Sequence, residues 1–263
     1  MSDRKYAVIT GASAGIGMQF ARELAKRGYN LVLVARRRER MENLASELEK
    51  EYGSHCHILV CDLSDRESCD ILTEGLQDIP VEIFINNAGF GDCNSFMQGD
   101  MEKELQMIDV NIKALHILLK RMLIQMNANN RGYILNVASS AGLIPAGPYM
   151  ATYYATKAYV TSITQGVARE LKEAGSNVYV GCLCPGPVDT EFNDVAGVEF
   201  SLKGITAQEC VAYAIDQMFR RKTVIIPTWY MRAAVFFGRF LPRSVYVAIT
   251  SMQQKKKLER KVP

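Results

Sequence analysis

Histidine is scarce in this chain. Its 263 residues hold three, the last at His116, which works against any serine chemistry that needs a late histidine base. Tryptophan occurs once, at Trp229. The seven cysteines are odd in number and lack the paired spacing of a zinc site, and the chain opens on Met1-Ser2-Asp3-Arg4 rather than on an apolar leader. Both features lead to the expectation of a cytoplasmic protein with free thiols. His55-Cys56-His57 has the residue types of a metal site but no second cluster, and it opens an apparent strand, so a structural role is expected. No linker rich in Pro, Gly or Ser divides the chain, and nothing repeats.

Acidic residues all but vanish near the end. Residues 220–263 hold eleven Lys and Arg against Glu259 alone, a balance of +10. The whole chain carries +3, so the preceding 219 residues carry −7. An acidic body of this kind argues against a nucleic-acid partner. Hydrophobic residues at 48% and charged residues at 22% fit one soluble α/β domain of this length.

What is present is alternation. Tyr6-Ala7-Val8-Ile9, Leu31 to Ala35, His57 to Cys61, Val81 to Ile85, Tyr133 to Val137, Val178 to Leu183 and Thr223 to Ile226 read as strands. Helical patterns lie between them, including long ones over 101–126 and from Tyr153 to about Ala174. Thr206-Ala207-Gln208-Glu209 has the form of a capping box. The pattern predicts a Rossmann-type, doubly wound parallel sheet of about seven strands in a single domain over residues 1–228, with a basic, aromatic helical extension over 229–263. In such sheets ligands sit outside the carboxyl ends of the strands. Those ends carry the residues of chemical interest.

The first of these is the turn Thr10-Gly11-Ala12-Ser13-Ala14-Gly15-Ile16-Gly17, between a strand and a helix. Glycines let a backbone approach a pyrophosphate, and a helix N-terminus offers amide donors and a positive dipole end. At the end of the second strand an acidic residue would bind a ribose diol, but this chain has Arg36 and Arg37. Guanidinium groups there suit a ribose 2′-phosphate, which predicts NADP(H) over NAD(H). Asp62 ends the third strand, where it could accept from an adenine amino group, and Ser13 could bond the adenosine ribose or phosphate.

The second is Tyr153-Tyr154-Ala155-Thr156-Lys157. Tyr153 and Lys157 stand one helical turn apart on a shared face. A free phenol titrates near 10, too high for a proton shuttle at neutral pH. A neighbouring ammonium favours the phenolate, and a shift of about three units would take roughly 4 kcal/mol.

The ordered set Thr10-Gly11-x-x-x-Gly15-x-Gly17, Asp62, Asn86-Asn87-Ala88-Gly89, Asn111, Ser139, Tyr153-x-x-x-Lys157 and Pro185-Gly186 resembles the short-chain dehydrogenases/reductases over about residues 5 to 227. The resemblance implies hydride exchange between a carbonyl compound and a secondary alcohol. It implies that Tyr153 moves the proton, that Lys157 lowers the Tyr153 pKa and binds the nicotinamide ribose, and that Ser139 holds the substrate oxygen. Asn111 would keep a relaying water behind Lys157. Val188 and Thr190 would hold the nicotinamide carboxamide. Ile16, Leu63, Asn87, Ala88, Gly89, Pro185 and Gly186 join Gly11, Ser13, Gly15, Gly17 and the arginines as implied cofactor contacts. The run Asn136-Val137-Ala138-Ser139-Ser140-Ala141-Gly142 offers two serines. Ser140 keeps the usual gap to the tyrosine, whereas counting from the strand favours Ser139, with the 144–150 loop absorbing the extra residue.

Two other readings stand beside this one. Gly11-Ala12-Ser13-Ala14-Gly15 also has the form of a nucleophile elbow, which would make a serine hydrolase of the chain. A nucleotide sensor without catalysis could use the same fold.

The substrate is expected against the segments 90–96, 143–150 and 192–205, which hold Phe90, Phe96, Ile144, Tyr149, Met150, Phe192 and Phe200. Such a wall selects a hydrophobic carbonyl compound, steroid-like or fatty-acyl-like. The 190–205 segment is expected to order over substrate. Between Trp229 and Met252 six aromatics alternate with Arg232, Arg239 and Arg243, which interrupt the run before ~18 apolar residues could span a bilayer. A lid, a subunit contact and a helix lying peripherally on an anionic membrane all fit that composition. The two long helices resemble the family's subunit surfaces and imply a homodimer or homotetramer.

Overall fold

The computed structural model describes residues 5–197 and 204–259. Its strands and helices, in chain order, are β1 (Tyr6–Thr10), α1 (Gly15–Lys26), β2 (Asn30–Ala35), α2 (Arg38–Tyr52), β3 (Cys56–Val60), α3 (Arg66–Gly75) and β4 (Val81–Asn86). There follow α4 (Met101–Ile108), a π-helical stretch (Asp109–Ala114), α5 (Leu115–Ala128), β5 (Tyr133–Val137), a 3₁₀ turn (Ser140–Leu143), α6 (Ala151–Glu173) and β6 (Tyr179–Leu183). The last part holds β7 (Val188–Asp189), α7 (Phe192–Ala196), β8 (Ile205–Thr206), α8 (Ala207–Phe219), β9 (Val224–Ile225), α9 (Trp229–Gly238) and α10 (Arg243–Glu259).

Seven strands form one parallel sheet in the order β3-β2-β1-β4-β5-β6-β9. The inner strands are covered on both faces, which is why their sequences are apolar runs rather than alternations; all six residues of β2 are buried, whereas none in the edge strand β3 is. Alternate residues nonetheless face different helices. Ile9, Leu31, Leu33, Ile85 and Leu135 pack against Phe20 and Leu24 of α1, Leu48 of α2 and Ile215 of α8. Val8, Val32, Val34, Phe84 and Ile134 pack against Leu72 of α3, Met122 of α5 and Val167 of α6. The result is three layers with two apolar seams. Each fully buried Leu, Ile or Phe contributes about 1.5–3 kcal/mol to holding them together.

The chain turns from one wing of the sheet to the other between β1 and β4, and the ends of these two strands are stitched together. Thr10 Oγ1 accepts from the backbone N–H of Asn87 and of Ala88, at 2.9 and 3.0 Å. The Asn87 amide donates to Thr10 O at 2.8 Å. Two buried asparagines repeat the device one strand along, where Asn86 donates to Asn136 and Asn136 to Thr164 of α6. The crevice of an open parallel sheet is thereby fixed at its switch point.

One expectation needs correction. The pattern over 101–126 predicts one continuous helix, but the chain widens into π geometry over Asp109–Ala114. The apolar spacing is undisturbed by one extra residue in a turn, so the pattern does not reveal it. The extension after Trp229 is two helices, with Pro242 just before the second. Beyond the main sheet, β7 and β8 pair in parallel through Val188–Ile205 and Asp189–Thr206, a ladder too short for sequence patterning to show. The capping box at Thr206 is present, with Thr206 and Glu209 satisfying each other's backbone N–H. No helix among the described residues is long and apolar enough to cross a membrane.

Candidate active site

The carboxyl edge of the sheet begins with the glycine turn. Gly11 has φ +67°, a left-handed conformation that glycine adopts without strain. A Cβ on Gly17 would lie 2.2 Å from the Gly11 carbonyl oxygen, so the turn and helix α1 close only on glycine. Ala14 precedes helix α1 without a side-chain cap, and the first turn of α1 holds no acidic residue. An N-terminus left uncapped by its own chain, in a turn stripped of side chains, fits a bound pyrophosphate. Thr190 lies against this turn, its Cβ 3.2 Å from where a Gly15 Cβ would be.

The cations at the end of β2 are arranged differently from the simple expectation. Arg36 is exposed and leans toward Asp62 at 3.8 Å, while Asp62 accepts from the N–H and hydroxyl of Ser64. Arg37 donates to Ser13 Oγ at 3.1 Å and to Glu191 at 3.1 Å, and Arg40 donates to the other Glu191 oxygen at 2.5 Å. Arg40 foremost, then Arg37, hold the Glu191 carboxyl below its ordinary pKa. Arg40 and Glu191 are absent from the sequence reading. Arg40 was findable, because it lies in the first turn of α2, three residues after Arg37; Glu191 was not. With its hydroxyl bonded to a guanidinium, Ser13 lacks the imidazole base that a hydrolase elbow requires.

Across the crevice, α6 carries Tyr153 and Lys157, both buried. The Ser139 hydroxyl stands near the Tyr153 phenol and favours its ionised form, and Ser139 Oγ accepts from the N–H of Ala141. Ser140, by contrast, opens the 3₁₀ turn and donates its backbone N–H to Pro185 O. In the 144–150 loop between serine and tyrosine, Tyr149 adopts φ +65°. Lys157 Nζ donates to Val137 O at 2.9 Å and lies 5.8 Å from the centre of the Tyr153 ring.

Burial governs the electrostatics. It pushes the Tyr153 phenol up to about 12 against the opposing Ser139 hydroxyl, and it brings the Lys157 ammonium down to about 8. The expected depression of the Tyr153 pKa by Lys157 is therefore not what the structure shows. Desolvation penalises the charged form of both groups.

Asn111 sits in the π-helical stretch and is fully buried. Its amide donates to Phe90 O and Thr156 Oγ1, and its Oδ1 accepts from Phe90 N–H. Gly89 lies where a Cβ would meet Asn111 Oδ1 at 2.8 Å and Lys157 Nζ at 3.3 Å. Asn111, Gly89 and Lys157 thus share one corner. Asn87 spends its side chain on Thr10 and Gly11, a stitching role the sequence reading missed.

The remaining wall is apolar. Cys93, Met107, Ala141, Met150, Tyr153, Tyr154 and Ala196 form a cluster on which Phe90, Ile144, Tyr149 and Phe192 pack. The Phe192 ring lies 5.5 Å from that of Tyr153 and covers it from α7. Phe96 is exposed, and Phe200 lies outside the described residues. Leu63 and Val188 are buried at the ends of their segments. Gly186 is packed under Met231 of α9. A surface cavity of about 240 Å³ between Lys5, Pro80 and Arg131 lies at the opposite edge of the sheet and touches none of these groups.

Residues 5–197 match the family described as short chain dehydrogenase. The chain belongs to that family. Among its relatives is the very-long-chain 3-oxoacyl-CoA reductase of Anas platyrhynchos, 32% identical over 200 residues that make up 74% of this chain and 63% of that one. This chain thus spans a little under two thirds of that relative's length. Among solved structures, a short-chain dehydrogenase from Sphingobium yanoikuyae in complex with NADPH superposes with a TM-score of 0.81 at 32% identity, covering 90% of this chain and 93% of its own. The bulky-bulky ketone specific alcohol dehydrogenase of Comamonas testosteroni superposes with a TM-score of 0.77 at 29% identity, covering 91% and 93%.

Proposed function

We propose that this short-chain dehydrogenase interconverts a ketone and a secondary alcohol on a bulky hydrophobic substrate with NADP(H). The observation that carries the reading is the buried pair on α6, with Lys157 Nζ 5.8 Å from the centre of the Tyr153 ring, set beside Ser139 and across the crevice from the uncapped helix N-terminus. Bound along that edge, a reduced nicotinamide dinucleotide would supply the hydride. Ser139 would donate to the carbonyl oxygen of the substrate and fix it beside the phenol. Burial keeps Tyr153 protonated at neutral pH, the form that gives its proton to the oxygen as negative charge grows there. Lys157 remains mostly cationic at neutral pH and stabilises that charge. In the reverse direction Tyr153 would take the proton back. Asn111 would hold the water that links Lys157 to solvent, in a π turn whose widened geometry leaves backbone carbonyls free to accept.

The two guanidiniums that converge on Glu191 support the choice of NADP(H), since a site that gathers a carboxylate can gather a ribose 2′-phosphate. Val188 and Thr190 would face the carboxamide, and Asp62 and Leu63 the adenine. The relative from Sphingobium, solved with NADPH, is consistent with this. The aromatic and aliphatic wall around Tyr153 supports a substrate of fatty-acyl or steroid size, in line with the very-long-chain 3-oxoacyl-CoA and bulky-ketone names of the relatives. The exposed faces of α4 to α6 would serve a homodimer or homotetramer.

The deciding experiment follows the near-ultraviolet absorbance of NADPH and of NADH against panels of steroids, 3-oxoacyl thioesters and small ketones. Oxidation of NADPH by a bulky ketone is expected. Tight NADPH binding without turnover on any panel would instead make the protein a sensor.

A further inference from the structure

Helix α9 is apolar on two opposite faces. Met231, Val235 and Gly238 are buried against the body of the protein. Half a turn round, Trp229 and Phe236 fall on the opposite face, with Phe237 beside them, by the 3.6-residue period, and Phe240 follows in the turn after the helix. They are 74%, 53%, 66% and 74% exposed. The three Phe rings form a cluster of their own, Phe236 lying 5.3 Å from Phe237 and 5.6 Å from Phe240. The patch runs on through exposed Leu241 and Val245 into α10. A helix that is hydrophobic all round is ordinarily covered on all sides, and a contiguous aromatic patch of this kind marks a contact surface.

Charge decides between the occupants. Arg239 and Arg243 are exposed at the two sides of the bend that carries Phe240 and Leu241, and Lys255 is exposed farther along α10. From Trp229 onward the only acid in the sequence is Glu259. A second copy placed symmetrically on this face would bring arginine against arginine, because a two-fold contact is self-complementary only if the patch carries both signs or none. An anionic bilayer surface meets both requirements: its interface accepts Trp and Phe rings, and its headgroups pair with the cations.

We propose that α9 and the start of α10 dock this protein onto anionic lipid membranes, with Trp229, Phe236, Phe237 and Phe240 entering the interface. Docking of this kind is peripheral and does not depend on the reaction assigned above. It places the catalytic edge next to lipid, because the buried side of α9 packs on Gly186 through Met231, and Gln254 of α10 bonds Tyr154.

The chain's single tryptophan lies in the patch and reports on it directly. The full chain, without coenzyme, is titrated with vesicles of phosphatidylcholine alone or with added phosphatidylglycerol, while tryptophan emission and co-sedimentation are followed. The anionic vesicles are expected to shift emission to shorter wavelength and pellet the protein, with both effects weakened by salt. Arg239→Gln with Arg243→Gln should weaken binding by about tenfold or more. Phe236→Ser with Phe240→Ser should abolish the emission shift while turnover of a soluble ketone survives. An unchanged spectrum with both vesicle types overturns the proposal. So does a concentration-dependent shift in buffer alone with a doubled mass by light scattering, which would assign the face to a second copy.

Discussion

The side-chain amide of Gln254 donates a 2.6 Å hydrogen bond to the phenol of Tyr154, a hundred residues earlier in the chain and next to Tyr153. Both residues are buried, so the last helix is fastened to the catalytic one at its chemically critical end. Gln254→Leu leaves the Tyr154 hydroxyl without its donor and is expected to cost about 1–3 kcal/mol. Adding Tyr154→Phe should recover most of that loss, since no polar group is then stranded. Thermal melts of the two single variants and the double variant check this; additive losses would show that the contact is energetically idle.

Tyr153→Phe should abolish turnover while the protein still binds NADPH, as read by energy transfer or calorimetry. Ser139→Ala should lower kcat by about a hundredfold or more, whereas Ser140→Ala should stay close to the parent. The contrast tests the choice of serine. If Ser140→Ala were the damaging change, the Ser139 hydroxyl beside Tyr153 would not be the one that holds substrate.

At the coenzyme end, Arg37→Ala and Arg40→Ala should each raise KM for NADPH by about tenfold to a hundredfold, with little change for NADH. Glu191→Gln removes the internal anion that shares these cations. It should tighten NADPH binding by up to about fivefold and leave NADH unmoved. Weaker NADPH binding in Glu191→Gln would mean that the carboxylate clasps the coenzyme rather than competing with its phosphate.

Lys157 sets a pH dependence on folding of the ligand-free protein. Its folded-state pKa of about 8 lies below the ordinary value of 10.5. Between these values the unfolded chain binds the extra proton, so stability rises with pH across this window. Below pH 8 the burial cost is fully present and amounts to about 3 kcal/mol. Lys157→Met should therefore melt higher than the parent at pH 7, with the gap closing toward pH 10. Tyr153 acts in the opposite sense only above its unfolded value of 10. Parallel melting curves across pH 7 to 10 would contradict the assigned environment of the ammonium.

Much of this was readable because a parallel sheet sends the carboxyl ends of all its strands to one edge. The turn at Gly11, the cations at Arg36 and Arg37, Ser139 and the Tyr153–Lys157 pair each follow a recognisable strand or open a recognisable helix, so topology alone brings them together. What escaped has no local signature. Glu191 reaches Arg40 across 151 residues, and Gln254 reaches Tyr154 across 100. The π turn around Asn111 leaves the apolar rhythm of its helix intact. The sense of the Tyr153 pKa shift was misjudged because a sequence shows that an ammonium is near but not how deeply both groups are buried.

The bond from Lys157 Nζ to the carbonyl of Val137 crosses from helix α6 to the strand that leads, two residues later, into Ser139. The cation is thus also a fastener, holding the segment that positions one hydroxyl at a set offset from the helix that positions the other. A substitute of equal charge but different reach, such as arginine, would keep the field and lose the alignment. At this position chain length is selected as strictly as charge.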